Sequence, residues 1–114
     1  MNTVVLLTST KLGNVLDQDL EFGTTMLANF LHALESQKDK VQTIICYTEG
    51  VKSALKGTNT ALSLQLLQDS GVRVLLCGSC LKHYDISSED VVGQVSNMAE
   101  ISQTLLDADK VVRP

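Results

Sequence analysis

The sequence predicts a three-layer α/β/α fold built on a mainly parallel sheet of about five strands, and three features carry that prediction. Short β-branched and aliphatic runs have the pattern of strands buried on both faces, without polar alternation. They alternate with longer segments of helical periodicity, which implies βαβ units. The 114 residues, 44% hydrophobic and 19% charged, suit one globular domain over residues 1–114 and lie far from the composition of disorder.

Thr3 to Thr8 is the first such run and predicts a strand. After the polar loop Ser9 to Asp19, apolar Met26, Leu27, Phe30, Leu31 and Leu34 share one helical face, so a helix is expected from about Leu20 to Ser36. The polar break Gln37 to Lys40 leads into a second strand over Val41 to Tyr47, ending near Thr48. Gly50 to Lys56 suits a short helix closed by Gly57. Thr58 or Asn59 then caps a second helix carrying Leu62, Leu64, Leu66 and Leu67, which Gly71 ends. Val72 to Cys77 is the third strand, and a helical turn is expected to follow it. Val91 to Ser96 is a candidate short strand, and Asn97-Met98-Ala99-Glu100 has the form of a capping box opening a helix to about Leu106. Asp109 to Arg113 closes the sheet.

A net charge of -4 with scattered Lys and Arg offers no basic face for phosphates, which argues against nucleic acid. The longest apolar runs fall well short of the roughly 20 residues of a membrane helix, and the N-terminus lacks the basic region of a secretory signal. A cytoplasmic protein with no membrane partner is expected. In that reducing compartment three cysteines do not make a disulfide framework.

Parallel strands joined by right-handed crossovers gather their carboxyl ends on one edge, where ligands and chemistry collect. The loops Ser9 to Asp19, Thr48 to Lys52 and Cys77 to Tyr84 should therefore meet there. The last of these holds Cys77-Gly78-Ser79-Cys80. At a strand-to-helix turn the free backbone amides and the nearby cations Lys82 and His83 lower a thiol's pKa, and Cys80, in the first helical turn, is near enough to Cys77 for a transient disulfide. Small buried residues are the competing reading, favoured for Cys46 within its strand but disfavoured for a pair in a loop. Zinc needs four ligands and only one Cys-x-x-Cys is present, so no metal is expected. Asp17, Asp19 and Glu21 read as acidic residues near a helix start rather than as ligands. Lys52, Gly78, Ser79, His83 and Asn97 are the candidate residues for contacting a substrate or partner around the thiols.

Four segments, TSTKLGN…DLEFGTTMLANFLHAL, EGVKSALKGTNTALSLQLLQDSGVRVLLCGSCL, VGQVSNMAEI and LLDADKVVRP, together span essentially the whole chain. They resemble the DsrE-like sulfur-relay superfamily and are most similar to its YedF-type branch, the sulfurtransferase-like selenium metabolism proteins. The resemblance implies the same five-stranded α/β/α fold and a carrier that passes sulfur, or selenium, as a cysteine persulfide between donor and acceptor proteins, without a cofactor. It implies Cys77 as the carrier and Cys80 as a resolving or auxiliary thiol, in a homo-oligomer, a trimer or hexamer. In that branch a TusA-like domain usually precedes this one, whereas the present sequence opens on its first strand. The family more often has an asparagine in the stretch Cys46-Tyr47-Thr48-Glu49-Gly50, before Gly50-Val51-Lys52. Two other readings stand beside the carrier: an oligomeric binding or assembly module with incidental thiols, and a Cys-x-x-Cys dithiol redox protein. The latter is weakened because the only proline, Pro114, leaves no cis-proline candidate.

Overall fold

A computed structural model describes all 114 residues. Five strands form one sheet: β1 (Thr3–Leu7), β2 (Thr43–Cys46), β3 (Arg73–Cys77), β4 (Gln94–Ser96) and β5 (Lys110–Val112). Their order across the sheet is β4-β3-β2-β1-β5, with every neighbouring pair parallel. The helices are α1 (Leu20–Leu34), α2 (Asn59–Asp69), α3 (Gly78–His83) and α4 (Met98–Leu106).

The chain winds from β1 to β4 in one direction, so right-handed crossovers put α1, α2 and α3 on one face; the return from β4 to β5 carries α4 to the other. Side-chain alternation then splits the core. Val5, Leu7, Ile44, Cys46, Val74 and Leu76 pack against Leu27, Leu31, Leu64, Leu67 and Leu81 of the three helices. Val4, Leu6, Ile45, Leu75 and Cys77 face the other way, onto Ile101 of α4. This is the three-layer arrangement expected from the sequence, with a thick core on one side and a thin one on the other.

The element boundaries differ from expectation for local reasons. α1 stops at Leu34, and Glu35–Lys40 tightens into 3₁₀ turns interrupted at Gln37. The short helix after β2 is also 3₁₀, over Thr48–Ala54. Thr58 caps α2, its hydroxyl accepting from the Ala61 N–H at 3.1 Å. Leu64 and Leu67 are buried while Leu62 and Leu66 face outward. Strand β4 covers only Gln94–Ser96, because Val91 pairs antiparallel with Leu55 and Val92 turns into the larger core. Half of the capping box forms: Asn97 Oδ1 accepts from the Glu100 N–H at 2.9 Å. The Glu100 carboxylate does not reach back to residue 97; it accepts from the Ser96 hydroxyl and pairs with Arg73 at 3.6 Å.

No helix is long and apolar enough to cross a membrane.

Candidate functional site

The three loops expected at the carboxyl edge do meet, and the residue joining them is Thr48. Its hydroxyl donates to the Thr8 carbonyl beyond β1 at 3.2 Å and to the Tyr47 carbonyl at 2.7 Å, while its backbone N–H donates to Cys80 Sγ at 3.0 Å. Ser53 adds a second strut, donating to the Ser9 carbonyl at 3.2 Å. The loop after β2 is pressed against β1 because residue 50 is glycine. A Cβ there would stand 2.6 Å from the Leu7 carbonyl carbon and closer still to its oxygen.

This tight path puts Thr48 at φ 49°. A β-branched side chain in the left-handed region is an outlier costing about 1–2 kcal/mol. Such strain persists only where the surroundings over-determine it, which three hydrogen bonds and the Gly50 contact accomplish here.

Cys77 is the last residue of β3 and the N-cap of α3, and Cys80 is the third residue of that helix, within its first turn. Both thiols are free. Their surroundings differ. Cys77 is 2% exposed, packed in the thin core beneath α4, and its side chain caps no α3 amide. The surface-loop position expected for it is thus corrected: strand parity turns it inward. Cys80 is half-buried at the seam, packed against both core clusters. Desolvation raises the Cys80 thiol's pKa, the neighbouring Cys77 thiol raises it further, and the Thr48 N–H opposes both. No cation acts on it, so the expected help from Lys82 and His83 is absent; both are exposed. Cys46, fully enclosed in the larger core, is pushed up to about 12 by burial alone.

The other candidate residues scatter around this pair. Gly78 and Ser79 start α3, and a Cβ on Gly78 would meet the Ser96 carbonyl oxygen at 3.1 Å, so α3 begins in close contact with β4. Asn97 lies just past Ser96, the register partner of Cys77, but its side chain is committed to capping α4. Lys52 does not turn to the thiols: its Nζ sits 4.3 Å from the centroid of the Tyr84 ring. Tyr84 also meets the His83 ring edge-on, with centroids 4.9 Å apart. Thr48 was not anticipated as a site residue. The stretch Cys46 to Gly50, where the sequence departs from the pattern it resembles, was the one available signal.

A cleft of about 300 Å³ opens beside the end of β1, lined by Thr8, Ser9, Lys11, Asn14 and Arg113, and a polar hollow of about 200 Å³ includes Lys52, Thr24, Asn29 and Asn59. Neither is lined by Cys77 or Cys80. No group of three or more His, Cys, Asp or Glu is arranged to hold a metal ion.

Comparison with solved structures extends the fold to other proteins. The ychN protein from E. coli is 22% identical, with a TM-score of 0.68 and full coverage of both chains. A protein of unknown function, MTH1491 from Methanobacterium thermoautotrophicum, is 17% identical with a TM-score of 0.67, again over both whole chains. A conserved protein of unknown function, BT1422 from Bacteroides thetaiotaomicron, is 18% identical with a TM-score of 0.64, covering 99% of this chain and 95% of its own. No curated protein matches the chain. A protein-family model does match, over residues 19–114, a span that contains every strand after β1 and the whole thiol pair, so the chain belongs to the DsrE/DsrF-like family.

Proposed function

We propose that the chain is a sulfur-relay carrier of the YedF type that holds a transferable sulfur, or selenium, as a persulfide on Cys77 and passes it to a partner protein. The observation that carries this reading is the pairing of Cys77 and Cys80 at the N-cap and third position of α3, on the carboxyl edge of the sheet. Family membership supports a relay role in general; the specific carrier, its cargo and its partners are our reading. Transfer of this kind proceeds by thiolate attack on a persulfide sulfur, needs no cofactor, and is governed by thiolate fraction and access. A donor or acceptor that is itself a protein meets a surface rather than a deep pocket, in keeping with thiols that line neither of the two clefts described. The homo-oligomer, a trimer or hexamer, belongs to the same proposal.

A binding or assembly module with incidental thiols is the second reading, and the raised pKa of Cys80 favours it, since a protonated thiol is a poor nucleophile. One experiment separates the two. The native protein is incubated with inorganic polysulfide, and the added sulfur is mapped to a residue by mass spectrometry. Sulfur mapped to Cys77 is the expected result. A protein that gains no sulfur at Cys77 refutes the carrier and leaves the binding module.

A further inference from the structure

We propose that sulfur enters this protein at Cys80, moves inward from Cys80 to Cys77, and that the Thr48 N–H is the fixed donor that receives the Cys80 sulfur whenever it is anionic. The inference rests on the carrier reading and adds a direction and a positioning residue to it.

Access sets the direction. Cys77 is 2% exposed beneath α4, so a partner's persulfide cannot reach it without local opening, whereas Cys80 sits half-buried at the rim beside exposed Ser79 and Thr48. Proximity permits the second step, because Cys80, in the first turn of the helix that Cys77 opens, packs against the core cluster to which Cys77 belongs. The backbone supplies the receptor. A main-chain N–H aimed at a sulfur atom stabilises it most when it is charged, much as donors preorganised around an oxyanion do. Here that N–H is held at 3.0 Å by a residue at φ 49° whose hydroxyl is tied to two carbonyls. A strained, triply bonded residue directed at the more accessible thiol is a device for keeping one donor in place.

The chemistry balances without an oxidant or reductant. Cys80 gives its proton to water and attacks the outer sulfur of a donor persulfide R–S–SH; a bond forms from Cys80 Sγ to that sulfur, the donor's S–S bond breaks, and the donor leaves as a thiolate that takes up a proton. Cys77 then attacks the same outer sulfur. Its bond to Cys77 Sγ forms, its bond to Cys80 Sγ breaks, and the proton of Cys77 passes to the Cys80 sulfur after the Thr48 N–H has received it as a thiolate. Delivery to an acceptor reverses these steps. Held on Cys77, the sulfur is shielded from small thiols by the packing of α4.

The test uses the full chain and a persulfidated cysteine peptide of about ten residues, too bulky to enter a 2%-exposed site without the opening that costs about tenfold or more in rate. Wild type, Cys80→Ser and Cys77→Ser are loaded in parallel and the sulfur is mapped over time. Expected are loading of wild type on Cys77, loading of Cys77→Ser on Cys80 with the sulfur going no further, and loading of Cys80→Ser on Cys77 at least about tenfold more slowly than wild type, the factor set by local opening. Cys80→Ser loading Cys77 as fast as wild type overturns the relay while leaving the carrier intact. Wild type that loads at neither thiol removes both. Circular dichroism and the unfolding midpoint establish that each variant is folded, and Cys80→Ala replaces Cys80→Ser if the serine variant is not. Independently, Gly50→Ala pushes the loop off β1 and carries the Thr48 N–H away from Cys80, so the pH profile of Cys80 alkylation should move to higher pH, whereas a merely structural role for Thr48 leaves that profile where it was; an unmoved profile removes Thr48 from the proposal.

Discussion

Replacing Gly50 with alanine tests the contact that sets the site's geometry. Gly50 does not occupy the left-handed region, so alanine can adopt its backbone conformation, and on entropy alone the change should stabilise by about 0.4–1 kcal/mol. Sterics oppose this. The new Cβ would lie 2.6 Å from the Leu7 carbonyl carbon and 3.2 Å from the Thr8 nitrogen, where ordinary carbon contacts are about 3.5–4.0 Å. Both neighbours are backbone, so relief requires moving the 3₁₀ segment about 1 Å away from β1. Overpacking of this kind costs about 1–3 kcal/mol, and the move also weakens the Tyr47 N–H to Leu7 carbonyl bond, now 3.2 Å, for about 1 kcal/mol more. The net expectation, after the entropic gain is subtracted, is a loss of about 2 kcal/mol. An unfolding entropy of about 2.1 cal/mol/K per residue over 114 residues is about 0.24 kcal/mol/K, so the midpoint should fall by about 8 °C in a calorimetric scan. The displaced loop should also carry the Thr48 N–H away from Cys80 and slow its alkylation at neutral pH. A midpoint within about 4 °C of wild type, equivalent to about 1 kcal/mol, means the close approach of the loop to β1 is not as described.

Two further outcomes follow from the same structure. Cys46 is neutral in the folded chain up to about 12, whereas its unfolded value is near 9.0, so its contribution to stability is fully present below pH 9 and is lost as pH rises toward 12. The stability advantage of wild type over Cys46→Ala should therefore shrink by about 1.4 kcal/mol per pH unit above pH 9; denaturant titrations at pH 9 and 11 showing a constant gap contradict the burial assigned to this thiol. Asn97→Ala removes the cap of α4 and should cost about 1 kcal/mol, about 4 °C in melting temperature, with wild-type alkylation of Cys80; a loss of thiol reactivity without a loss of stability reverses its assignment from cap to site residue.

The fold was legible because its signals are local. The apolar runs at Thr3–Leu7, Thr43–Cys46 and Arg73–Cys77, the helical spacing of Leu27 and Leu31, and the caps at Thr58 and Asn97 all depend on residues within one or two turns of each other. The errors have a non-local origin. Val91 and Val92 have strand composition but serve a bridge and a core contact, and Glu100 abandons the capping box because Ser96 and Arg73 offer it partners from another part of the sheet. Lys52 is another such case, since a ring contributed by α3's far end decides where its ammonium rests.

The sequence by itself determined the order of strands and helices, the parallel sheet, and the location of both cysteines at a carboxyl edge, since periodicity and handedness act along the chain. The resemblance gave the two thiols different roles, but the residue pattern did not distinguish their burial. A strand buried on both faces shows no polar alternation, so nothing in Val74-Leu75-Leu76-Cys77 reveals which residues lie under α4; only the return crossover to β5 does, and it encloses Cys77 while leaving Cys80 at the rim. The donor to Cys80 is likewise a product of tertiary structure. It is a backbone group, present in nearly every residue, and it becomes specific only because Gly50 lets the loop close on β1 and forces Thr48 into a conformation that aims its N–H at one sulfur atom.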